Sequence, residues 1–302
     1  MNIEKEIEKL KKEKGIAILA HYYVPREVQE IADYVGDSFY LSKIATMIPE
    51  ETIILCGVSF MGESAKLLCP NKTILLPDLD ADCPMAHMAN ILKIKQIKDE
   101  YKDNVAVVCY VNSTATLKTY ADVCVTSSNA YQVVSKLSQE YIYFIPDEHL
   151  GRYIAKKLPE KKFIFNDGYC HVHTSINSNA LKDKKREYPD AIVVAHPECK
   201  EELLQEADYI GSTSEIIDYV TNNDFKECIV CTETGVLHEL KKKNPETIFH
   251  IVTDKQICPN MKKVTLEKVY QCVLKDTNTV YLTPTIMQEA KLSLEKMMEL
   301  TK

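Results

Sequence analysis

The stretch ILAHYYVPREVQEIADYVGDSFYLSKI, residues 18–44, decides the fold because its plan occurs three times. VVCYVNSTATLKTYADVCVTSSNAYQVV (107–134) and VVAHPECKEELLQEADYIGSTSEIIDYV (193–220) repeat it without a gap. An Ala-Asp pair marks each copy: Ala32-Asp33, Ala121-Asp122 and Ala207-Asp208. Eleven residues before each Ala stand His21, Tyr110 and His196, and five after each Asp stand Ser38, Ser127 and Thr213. The segments that follow also align. CGVSFMGESAKLLCPNKTILLPDLDADC, IPDEHLGRYIAKKLPEKKFIFNDGYC and CTETGVLHELKKKNPETIFHIVTDKQIC each pass a proline (Pro70, Pro159, Pro245), run through an apolar strand and end on a cysteine. Those cysteines are Cys83, Cys170 and Cys258, separated by 87 and 88 residues. A repeat of that length is too long for a solenoid unit and suits a small α/β domain.

Each copy reads β-α-β-α-β-α-β. The strands are apolar runs: Ile16–Ala20, Val105–Cys109 and Ala191–Ala195 first, a short one after each Ala-Asp pair, then Thr52–Leu55, Ile142–Ile145 and Cys228–Cys231, and last Thr73–Leu76, Lys162–Phe165 and Thr247–Val252. Strands alternating with helices imply parallel sheets covered on both faces. The expected fold is therefore α/β, with three homologous parallel-sheet α/β/α domains related by pseudo-threefold symmetry around a central active site. The expected boundaries are 1–98, 99–186 and 187–275, with a C-terminal helix within 276–302 packing on the first repeat. The amphipathic part of that helix is Pro284–Leu300.

Composition narrows the class. The chain has 302 residues, 45% hydrophobic and 27% charged, which allows a folded core. Its formal net charge of −7 and its lack of a long Lys/Arg run argue against nucleic-acid binding. The start, MNIEKEIEKLKKEKG, lacks the apolar stretch of a signal peptide, and no apolar run reaches the roughly 18 residues that a membrane span needs. A cytoplasmic protein with no membrane partner is expected. In that reducing compartment the 11 cysteines are metal ligands or apolar filler, not disulfides.

Ligands of open parallel sheets bind beyond the carboxyl ends of the strands, where the aligned polar residues fall. After the first strand of each copy come His21 and Tyr23, Tyr110 and Asn112, and His196 and Glu198. Such residues suit hydrogen bonding and proton transfer, whereas plain turn residues would have no need to be of these types. Ser38, Ser127 and Thr213 open the next helices, whose N–H groups bind anions; singly, each would be an ordinary N-cap. The three cysteines each follow the fourth strand. Three thiolates converging on an axis can bind zinc or a [4Fe-4S] cluster, and the residues themselves leave that choice open. In Cys228-Ile-Val-Cys231 the two side chains are expected on opposite faces of a strand, which argues against a ligand pair. Cys56, Cys69, Cys109, Cys124 and Cys272 read as core. His173, close after Cys170, is expected to face the site.

With these pieces in order, the chain resembles the quinolinate synthase (quinolinate synthetase A) family. The matching stretches are AHYYVPREVQEIADYVGDS, YVNSTATLKTYADVCVTSSNA, GYCHVH, AHPEC, GSTSEII, TETGVLHEL and CPNMKK, which run from Ala20 to Lys263. The resemblance implies a [4Fe-4S] cluster on Cys83, Cys170 and Cys258. It also implies condensation of iminoaspartate with dihydroxyacetone phosphate to quinolinate, with loss of phosphate and water, in NAD biosynthesis, and an L-aspartate oxidase as supplier of iminoaspartate. Carried over residue by residue, it makes Glu198, Tyr23 and His196 catalytic. It makes His21, Ser38, Tyr110, Asn112, Ser127, His173, His196, Glu198, Ser212 and Thr213 substrate-binding. Some members carry CxxCxxC at the last cysteine; here only Cys258 stands there, which argues against disulfide-based regulation at that point but not against cluster binding. The alternatives are another [4Fe-4S]-dependent hydro-lyase and a non-catalytic iron–sulfur or redox sensor. A sensor would have no use for the matched His, Tyr, Asn and Glu positions.

Overall fold

The computed structural model describes residues 2–302. The first unit carries β1 (Ile16–His21), β2 (Tyr34–Gly36), β3 (Thr52–Cys56) and β4 (Thr73–Leu75). The second carries β5 (Val105–Tyr110), β6 (Val123–Val125), β7 (Tyr141–Ile145) and β8 (Lys162–Phe165). The third carries β9 (Ile192–Ala195), β10 (Tyr209–Ile210), β11 (Glu227–Cys231) and β12 (Ile248–Ile251). They form three four-stranded sheets, ordered β2-β1-β3-β4, β6-β5-β7-β8 and β10-β9-β11-β12. Every neighbouring pair is parallel, and helices flank the sheets. All six residues of β1 and of β5 are buried, as strands covered on both faces should be.

The register repeats as well as the order. Leu19 pairs with Tyr34, Val108 with Val123 and Val194 with Tyr209, each 15 residues on. Ile16 pairs with Thr52, Val105 with Tyr141 and Ile192 with Cys228, each 36 residues on. The recurring aspartate explains part of this constancy. Asp33, Asp122 and Asp208 each accept a hydrogen bond from a main-chain N–H of the first strand, that of Ile18 (2.8 Å), Val107 (2.7 Å) or Val193 (2.8 Å). The N–H of each aspartate returns a bond to the carbonyl of that same residue. The side chain thus finishes pairing where the short second strand begins. Asp208→Ala is expected to destabilise the fold by about 1–3 kcal/mol, because a part-buried strand N–H loses its acceptor. Urea unfolding of parent and variant measures it, and a change within about 0.5 kcal/mol would deny the aspartate this role.

One apolar core runs through the first two units, from Ile18 and Leu55 to Val108 and Phe144. The third unit has two smaller clusters, one on each face of its sheet. Alternation along β11 divides them: Cys228 and Val230 belong to one, Ile229 and Cys231 to the other. The two cysteines of the CxxC stretch therefore point apart, as expected of a strand. Cys56, Cys69, Cys109, Cys124 and Cys272 all lie in the main core.

Beyond the third unit the chain turns back. The helix Leu266–Lys275 packs against the N-terminal helix Ile3–Lys14 and β3, and Lys14 Nζ donates to the carbonyls of Val273 (2.8 Å) and Leu274 (3.0 Å) near its end. The last helix, Pro284–Leu300, does more than pack on the first unit. It touches the helix Ser59–Leu68 there, and it also covers β6 and the helix Ala115–Lys118 of the second unit. Its buried Ala290, Leu294 and Met297 complete the core across that seam, and Ser293 Oγ donates to the carbonyl of Lys118. Shielding an edge strand in this way removes a surface prone to false pairing. Among the described residues, no helix is long and apolar enough to cross a membrane.

Candidate active site

The carboxyl ends of the three sheets converge on one cavity of about 70 Å³, room for about five water molecules. His21, Tyr23, Ser38, Tyr110, Asn112, Ser127, His173, His196, Glu198 and Thr213 all line it, together with Cys83, Cys170 and Cys258. Ser212 does not. It is fully buried as the N-cap of the helix Thr213–Thr221, in a capping box with Glu215.

The strand ends set the side chains by a repeated local turn. His21 closes β1, and its Nδ1 accepts the Tyr23 N–H at 3.1 Å. His196 follows β9, and its Nδ1 accepts the Glu198 N–H at 3.3 Å. Each ring therefore keeps its proton on Nε2. Burial, the main cause, drives both imidazoles down to about 3, so both are neutral donors at ordinary pH. A charge on Lys262 adds to the effect at His21, while Glu198 opposes it at both rings.

Glu198 is the electrostatic centre. It is 3% exposed, and burial, the largest influence, resists its ionisation. His173 and His196, with hydrogen bonds from His173 and Tyr110, outweigh that and hold the carboxyl well below its usual range. Tyr110 Oη donates to Glu198 Oε1 at 2.5 Å, and His173 Nδ1 lies 2.8 Å from Oε2. On its other side His173 Nε2 meets Thr232 Oγ1 at 2.9 Å. Thr232 Oγ1 in turn meets Tyr23 Oη at 2.8 Å, and Tyr23 Oη also touches Thr213 Oγ1 at 2.7 Å. A hydrogen-bonded chain thus joins Tyr23, Thr232, His173, Glu198 and Tyr110. Burial raises both phenols well above their usual range, so they act as neutral donors. Asn112 Oδ1 is buried without a partner, an acceptor ready for a donor on a bound molecule.

The helix starts differ from expectation in detail. The caps are Asp37 and Ser212, so Ser38 and Thr213 are first helical residues instead of caps. In the second unit the helix begins only at Ala130. There Asn129 Oδ1 accepts the Thr126 N–H at 2.7 Å, which closes a turn and leaves Ser127 ahead of the helix. No lysine or arginine lines the cavity among the described residues, so anionic groups must be met by N–H, hydroxyl and imidazole donors or by a metal.

The three cysteines form a matched donor set. Each directly precedes a helical turn or lies just ahead of one: Cys83 before Pro84–His87, Cys170 before His171–Thr174, Cys258 before Met261–Lys263. Burial raises all three thiols, to about 12 for Cys83. Cys258 raises Cys83 further, and Cys83 raises Cys170, as neighbouring thiols should. Main-chain N–H groups of the following turns oppose this, those of Met85 and Ala86 at Cys83, His173 at Cys170, and Asn260 and Met261 at Cys258. The site thus favours thiolate only where a cation compensates the burial. One donor atom each of Cys170, His173 and Glu198 also lie within 4.8 Å of one another, but His173 Nδ1 there serves Glu198. Three soft sulfurs, one from each repeat, make the better metal-binding set.

Sequence reasoning passed over Thr232, Glu233 and Asp147. Thr232 and Glu233 follow β11, and Asp147 lies two residues past β7, so the strand-end rule that selected His21 and His196 would have found them. Gly235, close by, admits no side chain: a Cβ there would stand 2.6 Å from the Tyr22 carbonyl oxygen and 2.7 Å from Tyr23 Cα. The third unit therefore meets the Tyr23 segment backbone to backbone.

Residues 5–299 match the profile of a family described as "Quinolinate synthetase A protein". A protein of Fusobacterium nucleatum subsp. nucleatum named quinolinate synthase is 52% identical over 294 residues, which cover 97% of this chain and 98% of that protein. Proteins of the same name from Clostridium perfringens and Clostridioides difficile are each 48% identical, over 99% and 98% of this chain and 99% and 97% of their own lengths.

Proposed function

The chain belongs to the quinolinate synthetase A family, and from that premise we propose that it condenses iminoaspartate with dihydroxyacetone phosphate to quinolinate, releasing phosphate and water. The supporting observation is the meeting, in one cavity, of one cysteine per repeat with the His, Tyr, Asn and Glu residues of the strand ends. The reaction belongs to NAD biosynthesis in the cytoplasm, with an L-aspartate oxidase supplying the unstable imine.

Cys83, Cys170 and Cys258 would hold a [4Fe-4S] cluster, and the donor chemistry fits: three thiols, each with N–H groups of the next turn beside the sulfur. With three protein ligands, such a cluster supplies an open iron as a Lewis acid. The chain's own residues do the rest. The N-termini of the helices that begin at Ser38 and Thr213, with the Ser127 hydroxyl and the Nε2–H groups of His21 and His196, bind phosphate and carboxylate oxygens. Asn112 Oδ1 accepts from the substrate nitrogen. Glu198, ionised and held by Tyr110 and His173, takes a proton at its carboxylate oxygen during tautomerisation. Tyr23 Oη returns a proton to the departing oxygen and is replenished through Thr232 and His173. Burial of all these groups excludes water that would hydrolyse the imine.

Purification without oxygen, a count of iron and sulfide per chain, and an assay for quinolinate from the two substrates test this. Iron and sulfide in equal amounts with quinolinate formed are expected. Zinc in place of iron, or no quinolinate, would overturn the reading.

A further inference from the structure

The main-chain N–H groups of two of the three cysteines meet carboxylates. The Cys258 N–H donates to Glu233 Oε1 at 3.0 Å, and the Cys83 N–H donates to Asp82 Oδ1 at 2.9 Å. In the second unit the equivalent Asp147 serves the next helix instead: its Oδ1 accepts the Leu150 N–H at 2.6 Å as the N-cap. Glu233 and Asp147 occupy equivalent places, each two residues beyond the third strand of its sheet. In the first unit that place holds Val58, and the acceptor comes instead from Asp82, steadied by Ser59 Oγ.

The surrounding main chain shows the same plan. The N–H groups of Ser59, Glu148 and Thr234 donate to the carbonyls of Ala81, Gly168 and Gln256, at 2.8, 2.8 and 2.9 Å. Each of those carbonyls lies two residues before a cysteine. The loop after the third strand thus holds the cysteine loop by a backbone bond in every unit and, in the third, also by a carboxylate of its own. Glu233 is fully buried, which is unfavourable unless it serves a purpose. Glu233 has spread its charge over three donors: the Cys258 N–H, the Gly235 N–H at 2.6 Å and Lys262 Nζ at 2.9 Å.

Resting on the reading of these cysteines as cluster ligands, we propose that Glu233 and Asp82 are positioning residues that anchor the main chain of Cys258 and Cys83, so that their sulfurs converge on that of Cys170 before iron binds. Outer groups of this kind fix the direction of metal ligands and commonly change metal affinity 10- to 100-fold.

The test compares the full-length protein with E233A, E233Q and K262M, each loaded with iron and sulfide without oxygen. The readouts are iron per chain and the rate at which visible absorbance fades after addition of bathophenanthroline disulfonate. E233A should fade about tenfold faster or more. E233Q should stay within about threefold of the parent, because an amide oxygen still accepts the N–H. K262M, which removes the ion pair and spares the Cys258 N–H, should behave as the parent. Parent-like fading in folded E233A would overturn the proposal, and so would K262M fading as fast as E233A. If E233A fails to fold in thermal unfolding, the comparison of E233Q with K262M decides, since only a faster E233Q contradicts the amide anchor. A parent protein that takes up no iron would reject the cluster reading itself, a result distinct from unaltered fading.

Discussion

Cys170→Ala is expected to leave a folded protein that holds almost no iron and forms no quinolinate. Cys170 is only partly buried and lies at the edge of the main core, so the loss of its sulfur should cost no more than about 1–2 kcal/mol of stability. The His173 ring loses its 3.2 Å contact with the sulfur but stays tied to Glu198 and Thr232. Metal binding suffers far more. With one of three donors gone, two thiols that burial already holds in their neutral form would face the cation alone. Loss of more than about 100-fold in retained iron follows, since even outer-sphere changes reach that size. Cys228→Ala supplies the contrast. Cys228 sits in an apolar cluster of the third unit, and its removal should leave the iron content unchanged. Iron and sulfide analysis beside a thermal melt measures both variants. Parent-like iron in Cys170→Ala would remove this cysteine from the ligand set.

Glu198→Gln should keep the visible absorbance of the cluster and lower kcat by about 10²- to 10⁴-fold, the range for loss of a general base. Glutamine can still accept from Tyr110 Oη and preserve the packing of a side chain that is almost fully enclosed, but it cannot take a proton. The direction of the pH effect follows from the carboxyl's depressed pKa. A carboxylate ionised more readily in the folded protein than its ordinary 4.5 contributes stability above that pH and loses it as the medium becomes more acidic. Parent enzyme should therefore have Glu198 ready as a base throughout the neutral range, and the variant should lack this part of the acid sensitivity. Rates at saturating substrate, with absorbance spectra of the same samples, provide the check. An unchanged kcat would assign the proton transfer elsewhere.

The threefold plan was legible because it is written in local signals. The Ala-Asp pairs mark corners that the aspartate side chains close in all three units, and the apolar runs mark strands that are buried on both faces. The ends of strands could then be read within a residue or two. His21, Tyr110 and His196 were found because each stands at a fixed offset from such a corner. Thr232 was not, because Gly57 in the first unit and Pro146 in the second carry no polar side chain at the aligned place; Glu233 was not, because Val58 in the first unit breaks the pattern that Asp147 shares in the second. Ser212 was placed too near the cavity. Its hydroxyl and that of Thr213 differ by one residue, and a helix start turns neighbouring side chains about 100° apart, so one caps the helix and the other faces the site.

The sequence by itself determined the repeat, the parallel strands and the choice of three cysteines out of eleven, because each of these depends on spacing along the chain. Only the tertiary structure decided what meets what. The last helix bridges two units, because its apolar face fits the seam between their cores. Tyr23 of the first unit, Tyr110 of the second and Glu198 of the third join one hydrogen-bonded chain, because three strand ends are brought to one cavity. Glu233 reaches the Cys258 N–H across 25 residues, because the loop after β11 and the loop after β12 lie side by side at the end of a parallel sheet. Contacts of that kind depend on distance in space, which spacing in sequence does not carry.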